Sequence, residues 1–430
     1  MRRYSCVLIC LCLFTSLFAL DNKIIRLTQK EIEGLFLTQN LELLAEQMNI
    51  DVAEAAIVQA KLWENPSLSI SEVNLWSTSS QREGEDVMIP PLFGSFGKNT
   101  EFSLELSQLI RTANKRGKLV RMEKVSKEMA IAQFEEVLRG LKTELRNSIY
   151  ELVFAQSYKE VLGHQSHSLK QLTDVYARQV KEGNLAKSEW LRLQSALFEI
   201  DNEKMEVETE WNALQKNLKV LLHLPPEVIV EVISDQQEKV DPEQLALAEL
   251  IDLATDHRPD LRLAGLQTSL MERSLAFERA QRVPDLTISA NYDRYGGVWK
   301  DFIGFGVSVD LPFWNRNQGN IKAARIQIEQ SRLEVRQQEN IVWNEIAEAF
   351  NNYSLVYRFH SRIVENPLLD ELDGMMEVYT RNLMERNISM LEYIDFMEAY
   401  KSNKETMLNA SKNLSRQLEE LQYTIGTDIK

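Results

Sequence analysis

Thiols are almost missing from this chain. Cys6, Cys10 and Cys12 all lie in the first twenty residues, "MRRYSCVLICLCLFTSLFAL". That stretch carries Arg2 and Arg3, an apolar run too short to span a bilayer comfortably, and a small-residue site near Ala19, which is the build of a signal peptide over residues 1–20. An exported chain without this leader is expected to have no disulfide, no thiolate ligand and no cysteine nucleophile. Ile9 and Leu11 precede Cys10 and Cys12, where lipid attachment needs a small residue. Cations are also short: the net charge is −15, and −17 once Arg2 and Arg3 are removed, so nucleic acid would be repelled. Phosphate-cradling glycine loops, zinc-type cysteine pairs and nucleophile elbows are absent. His164 and His167 in "HQSH" have the i, i+3 spacing of a metal pair, but with no third ligand nearby they read as a solvated helix face. His223, His257 and His360 are isolated. No cofactor, resident metal or catalysis is expected.

Glycine (16) and proline (10) are scarce in 430 residues, while Leu, Glu, Ala, Gln, Lys and Arg fill long stretches. Such a chain is dominated by long helices. What it contains is written twice. "DVYARQVKEGNLAKSEWLRLQSALFE" from Asp174 pairs with "EVYTRNLMERNISMLEYIDFMEAYKS" from Glu377 at an offset of 203, with identities at Val175/Val378, Tyr176/Tyr379, Arg178/Arg381, Glu182/Glu385, Asn184/Asn387, Glu189/Glu392 and Ala196/Ala399. The repeat extends backwards. "NPSLSI" at Asn65 lies opposite "VPDLTI" at Val283, an offset of 218, and "NKRGK" at Asn114 opposite "RNQGN" at Arg316, an offset of 202. The offset changes at the loop from Ser77 to Asn99, which is much longer than its counterpart from Gly296 to Asp301. The expected organisation is a first repeat over 21–224, with a strand hairpin at about 66–110 and a helical hairpin at about 112–224. A linker over 225–244 follows, then a second repeat over 245–430, with a strand hairpin at about 284–311 and a helical hairpin at about 318–425.

The strands alternate with period two. Phe102, Leu104 and Leu106 oppose Glu101, Ser103, Glu105 and Ser107; Leu286, Ile288, Ala290 and Tyr292 oppose Asp285, Thr287, Ser289, Asn291 and Asp293; Ile303, Phe305, Val307 and Val309 oppose Gly304, Gly306, Ser308 and Asp310. Leu68 and Ile70 begin a fourth strand in the same way. A half-buried sheet packed on helices is one reading. The other is a membrane barrel, favoured by the strand length, by Pro66 and Pro284 at strand starts and by export. Four strands cannot close, so the chain would pool them with copies of itself, and three copies give a barrel of twelve. Glu101, Glu105, Asp285, Asp293 and Asp310 would then line a wet lumen.

From Lys118 to Glu182 no proline interrupts the chain, and Leu138, Leu141, Leu145, Ile149 and Leu152 follow the spacing of a coiled-coil seam. A second long helix from Gly319 to about Glu385 carries Ile346, Phe350, Tyr353 and Tyr357 on one stripe, with a kink expected at Pro367. Both reverse at the duplicated segments, which become the far ends of two antiparallel hairpins, pointing away from the membrane. Gly183 supplies the left-handed residue of the first turn, and Asn387 is the best candidate in the second, where Arg386 replaces the glycine.

Together these signatures resemble the TolC-like outer-membrane efflux proteins over about residues 27 to 425. The resemblance rests on "NPSLSI", "VPDLTISANY", "HRPDLRLA", "GFGVSVDLPFWNRNQGN" and the two turn segments, in that frame of duplication. It implies a mainly α fold with a small membrane β part: a trimer whose twelve-stranded outer-membrane barrel continues into a periplasmic tunnel of coiled-coil helices. "DLPFWNRNQG" most resembles the branch paired with resistance-nodulation-division pumps for heavy-metal cations. The family's tip contacts a periplasmic adaptor, and the matching positions are Val180, Gly183, Asn184, Leu185, Glu189, Leu383, Asn387, Ile388 and Glu392. The implied partners are outer-membrane lipid, two further copies, the adaptor and an inner-membrane pump of a Gram-negative cell. The expected function is a passive exit duct for heavy-metal cations, with drugs or other small organic molecules as the alternative cargo. A soluble periplasmic coiled-coil adaptor or scaffold is the competing class.

Overall fold

A computed structural model describes residues 23–74, 101–233, 239–294, 301–366 and 368–429. The first half runs β1 (Lys23–Thr28), α1 (Gln29–Gln39), α2 (Leu41–Lys61), β2 (Ser67–Asn74), β3 (Glu101–Ile110), α3 (Lys115–Lys181) and α4 (Lys187–Leu221). The second runs β4 (Val228–Ile233), a 3-10 turn at Pro242–Gln244, α5 (Leu247–His257), α6 (Pro259–Gln281), β5 (Leu286–Arg294), β6 (Asp301–Val309), α7 (Gln318–Val364), α8 (Leu368–Met384) and α9 (Met390–Ile425). Both halves therefore repeat helix pair, strand pair and long helical hairpin. The whole of the long insertion between β2 and β3, and the counterpart loop up to Lys300, lie outside the described residues, as does the leader. Two compact units emerge, each built from separate stretches: one from residues up to Glu46, Glu135–Arg258 and Ile341–Lys430, the other from Gln47–Phe134 and Pro259–Asn340.

The second unit holds one antiparallel sheet in the order β2-β3-β5-β6. Its strands alternate because the pleat sends successive side chains to opposite faces. The register carries the alternation across the whole sheet: Ile70, Leu104, Tyr292 and Ile303 form one row, and Leu68, Leu106, Ala290 and Phe305 the next, on the same face. On the other face Ser69, Glu105, Asn291 and Gly304 form a row, and Ser67, Ser107, Ser289 and Gly306 another. Glycine is needed on that polar face. A Cβ added to Gly304 would stand 2.3 Å from Asn291 Oδ1, and one added to Gly306 2.6 Å from Ser289 Oγ. The bend from β3 into α3 is fixed by Lys115, whose buried ammonium lies 2.8 Å from Asp285 Oδ1, the same oxygen that accepts from the Thr112 N–H at 2.8 Å.

The first unit holds a feature that the sequence did not announce. β1 and β4 pair in parallel, Lys23 opposite Val228 through Thr28 opposite Ile233, so the segment read as a linker contains a strand. The other side of β4 is closed by side-chain amides. Gln215 accepts from Val230 N–H (3.0 Å) and donates to Val230 C=O (2.6 Å), and Gln156 accepts from Val232 N–H at 3.1 Å. Two glutamines thus do for a short edge what a neighbouring strand would do.

α3 is a single helix of 67 residues, about 100 Å long at 1.5 Å per residue. Leu141, Leu145, Ile149 and Leu152 of the expected seam are buried, and the stripe continues through Leu162, Leu169, Leu172 and Tyr176. These last four pack with Leu193 and Leu197 of α4, Leu383 of α8 and Met390, Tyr393 and Met397 of α9 in one apolar cluster. The second long helix is broken rather than kinked: α7 stops at Val364 and α8 starts at Leu368, while Pro367 lies outside the described residues.

Candidate functional site

Two surfaces carry the functional reading, the sheet and the helix reversals. On the sheet's apolar face Ile303 is 69 %, Phe305 85 % and Val307 69 % exposed, so this face is covered by no other described part of the chain. An apolar sheet face of this extent needs a partner of its own polarity. The opposite face is hydrogen-bonded laterally: Asp293 accepts from Ser103 Oγ and from Asn291 Nδ2 (2.7 Å), and Ser67 and Ser107 meet at 2.7 Å. Phe302 is the exception in its row.

The five carboxylates expected on the lumenal face separate into different environments. Glu105 is exposed in mid-strand and Asp293 sits on the same face within the Ser103–Asn291 bonds. Asp310 is exposed one residue beyond β6. Asp285 precedes β5 and is engaged by Lys115 and Thr112, so it is part of the corner between strand and helix. Glu101 opens β3, and its side chain lies outside the described residues.

The reversals match each other in their hydrogen bonding. Asn184 N–H donates to Gln179 C=O at 2.9 Å and Gly183 N–H to Val180 C=O at 3.1 Å; Asn387 N–H donates to Asn382 C=O at 2.8 Å and Arg386 N–H to Leu383 C=O at 3.1 Å. Each is a Schellman ending, with its left-handed residue at φ 76° (Gly183) and φ 60° (Arg386). The left-handed position of the second turn is therefore Arg386 and not Asn387. The two asparagines have another task, each donating through Nδ2 to the glutamate two residues earlier, Glu182 (3.2 Å) and Glu385 (3.0 Å). That contact accounts for four of the duplicated residues. Arg386 also donates to Asn184 C=O at 3.3 Å, joining the two turns.

The remaining tip candidates divide by burial. Gly183, Asn184, Asn387 and Glu392 are exposed; Val180, Leu185 and Ile388 are half-buried; Leu383 is buried. Leu185 and Ile388 are half-buried and pack against the hairpin core. Exposed apolar surface comes instead from Met384, Leu391 and Leu191, which the helical pattern places just outside the buried set. Glu392 completes a capping box with Ser389: Ser389 N–H donates to its carboxylate at 2.7 Å, and that bond, with the serine hydroxyl, holds the carboxyl below its ordinary pKa. Glu189, half-buried in the first turn of α4, has no such box, because Ala186 stands at the N-cap.

The turns should respond asymmetrically to substitution. At Gly183 no atom lies within 4 Å of an added Cβ, so Gly183→Val should cost backbone strain alone, about 1–2 kcal/mol. Arg386→Gly exchanges relief of that strain for one lost hydrogen bond and should be neutral within about 0.5 kcal/mol. Thermal unfolding of the purified protein measures both, and equal destabilisation would contradict the left-handed assignment at Arg386.

A sheet with one apolar exposed face and one polar face, carried on a chain with such helical hairpins, defines an outer-membrane channel subunit. The structure matches the outer-membrane channel CmeC of Campylobacter jejuni with a TM-score of 0.71 at 14% identity, over 92% of this chain and 85% of that one. In sequence it is 20% identical to the cobalt-zinc-cadmium resistance protein CzcC of Cupriavidus metallidurans over 365 residues, 84% of this chain and 80% of CzcC. It is 32% identical over 88 residues to the nickel and cobalt resistance protein CnrC of the same organism, 19% of this chain and 21% of CnrC. The family model for outer membrane efflux proteins matches residues 34–222 and 250–365, and the chain belongs to that family. It is a transport duct of the TolC-like fold, not an enzyme, and the reading as a soluble adaptor is set aside. Among the described residues no helix is long and apolar enough to cross a membrane.

Proposed function

We propose that three copies pool their sheets into a twelve-stranded barrel in the outer membrane of a Gram-negative cell, with the helical hairpins in the periplasm. There the protein serves as passive exit duct of a tripartite system, taking heavy-metal cations from an inner-membrane resistance-nodulation-division pump through a periplasmic adaptor. The observation that carries the assembly is the four-stranded sheet itself. β2 and β6 are its edges, its apolar face is bare, and open edges are not tolerated in lipid, so closure requires other copies. Glu105 and Asp293 on the opposite face, repeated by symmetry, give the interior a negative potential that favours cations.

Cargo identity rests on the likeness to CzcC and CnrC. Screening over about 8 Å at physiological salt makes such a lumen a bias and not a filter, so selection belongs to the pump. Deleting the gene should raise sensitivity to cobalt, zinc, cadmium, copper or silver more than to bile salts or hydrophobic antibiotics. Sensitivity that rises only to the latter would move the cargo to small organic molecules while leaving the duct in place.

The adaptor is placed at the two reversals, which are the exposed, duplicated part of the hairpins. A photo-crosslinking residue at Asn184 or Asn387 should trap the adaptor in intact cells, and one at His164, whose side chain is 78% exposed on a helix face, should not. Equal yields would reduce the turns to helix reversals.

A further inference from the structure

We propose that a cavity of about 390 Å³, walled by α3, α7, α9, the end of β4 and Lys239, is a binding site for a small amphiphilic anion, an acidic head group on a short apolar chain. The volume lies at the lower end of the range of about 300–1,000 Å³ for small-ligand sites. Every charged side chain of its lining is cationic, Lys239 and Lys412, and the imidazole of His360 and the hydroxyls of Ser157, Ser411 and Ser415 add polar atoms. This is unusual on a chain whose net charge is −15. The rest of the wall is largely apolar, with Ile149, Val153 and Phe154 of α3 facing Leu414 and Leu418 of α9.

His360 is only 4 % exposed, and its Nε2 lies 3.4 Å from Ser411 Oγ. Burial first, and then the charge of Lys239, push its pKa down. The Lys412 ammonium rests 4.0 Å from the centre of the Phe154 ring, and burial depresses its pKa as well. Glu151, Glu210 and Glu405 act on it from outside the lining, and Glu151 is itself bound to Arg416 at 3.3 Å. An anion seated between the two lysines would supply the charge this wall lacks, and its chain would cover the aliphatic side. Because the walls come from separate elements, occupancy would brace the packing of α3, α7 and α9 by mass action.

The test uses the full chain, assembled in a non-ionic detergent, with decanoate below its micellar concentration as probe and decanol as the uncharged control. Decanoate should bind saturably at one site per chain by calorimetry and raise the unfolding midpoint, and decanol should do neither. Lys412→Met should weaken decanoate about tenfold or more, the loss of one charge-assisted contact. Lys239→Gln, at an exposed position, should weaken it in the same direction and gives a reading even if the first variant fails to assemble. Decanol binding as tightly as decanoate, or decanoate affinity unchanged in Lys239→Gln, would overturn the site.

Discussion

Phe305→Arg should abolish recovery of trimers from outer membranes, and Glu105→Arg should leave recovery at the wild-type level. The two positions lie on adjacent rows of the same sheet, Phe305 beside Ala290 and Glu105 beside Asn291, but on opposite faces. Phe305 is in the middle of β6 and is 85 % exposed in the isolated chain. In the proposed barrel that surface meets lipid. An arginine there costs about 2–4 kcal/mol near the bilayer midplane, once for every copy in the assembly. Glu105 exchanges one hydrated charge for another on the wet face. Heat-modifiable trimer bands from membrane fractions measure both variants, and equal loss in the two would remove the assignment of lipid and lumenal faces.

How much of this was legible in the sequence depended on whether the signal was local. The strands were, because the alternation through Leu286, Ile288 and Ala290 fixes both the element and its faces within a few residues. The positions of the reversals were too. Which residue turns left-handed in the second one was not, since propensity favours asparagine there, whereas the Schellman bonds set the frame and put Arg386 opposite Gly183. Leu383 entered the tip positions through the family resemblance, yet the helix phase sends it into the hairpin core. β1 and β4 are six residues each and pair across 205 positions, a contact that no local pattern encodes. The same holds for the charged residues that converge on Arg146.

Arg146→Met should destabilise the protein by about 3–5 kcal/mol, the range for removing one partner of a buried ion pair. The side chain is 10 % exposed and bridges three carboxylates: Nε reaches Glu33 at 2.8 Å, and Nη1 reaches Glu419 at 2.9 Å and Asp428 at 2.8 Å. It thereby ties α1 and the residues beyond α9 to α3. Glu419 is the critical partner, only 4 % exposed, and apart from Arg146 it accepts from Thr143 at 3.1 Å. Burial raises its pKa even with the guanidinium in place. For Glu33 and Asp428 burial is the largest single influence and pushes upward, but the hydrogen bonds and charge of Arg146, together with Lys142 and, for Glu33, Gln29, outweigh it and hold both carboxyls below their ordinary values. The sign of the pH dependence follows from these directions. In the wild type the two lowered groups stabilise the fold above the unfolded carboxylate range, about pH 4, and that contribution is lost as pH falls through their folded values. Without Arg146 the three carboxyls shift upward together, so the penalty of ionising them is present at neutral pH and is relieved as the solution is acidified. The gap between wild type and variant should therefore be widest near pH 7.5 and narrow markedly by about pH 4.5. Arg146→Lys, a single point charge that cannot fork to three partners, should fall between them. Unfolding midpoints at the two pH values decide the matter: a gap that does not change with pH would mean that packing of the arginine stem, and not its charge, holds these segments together.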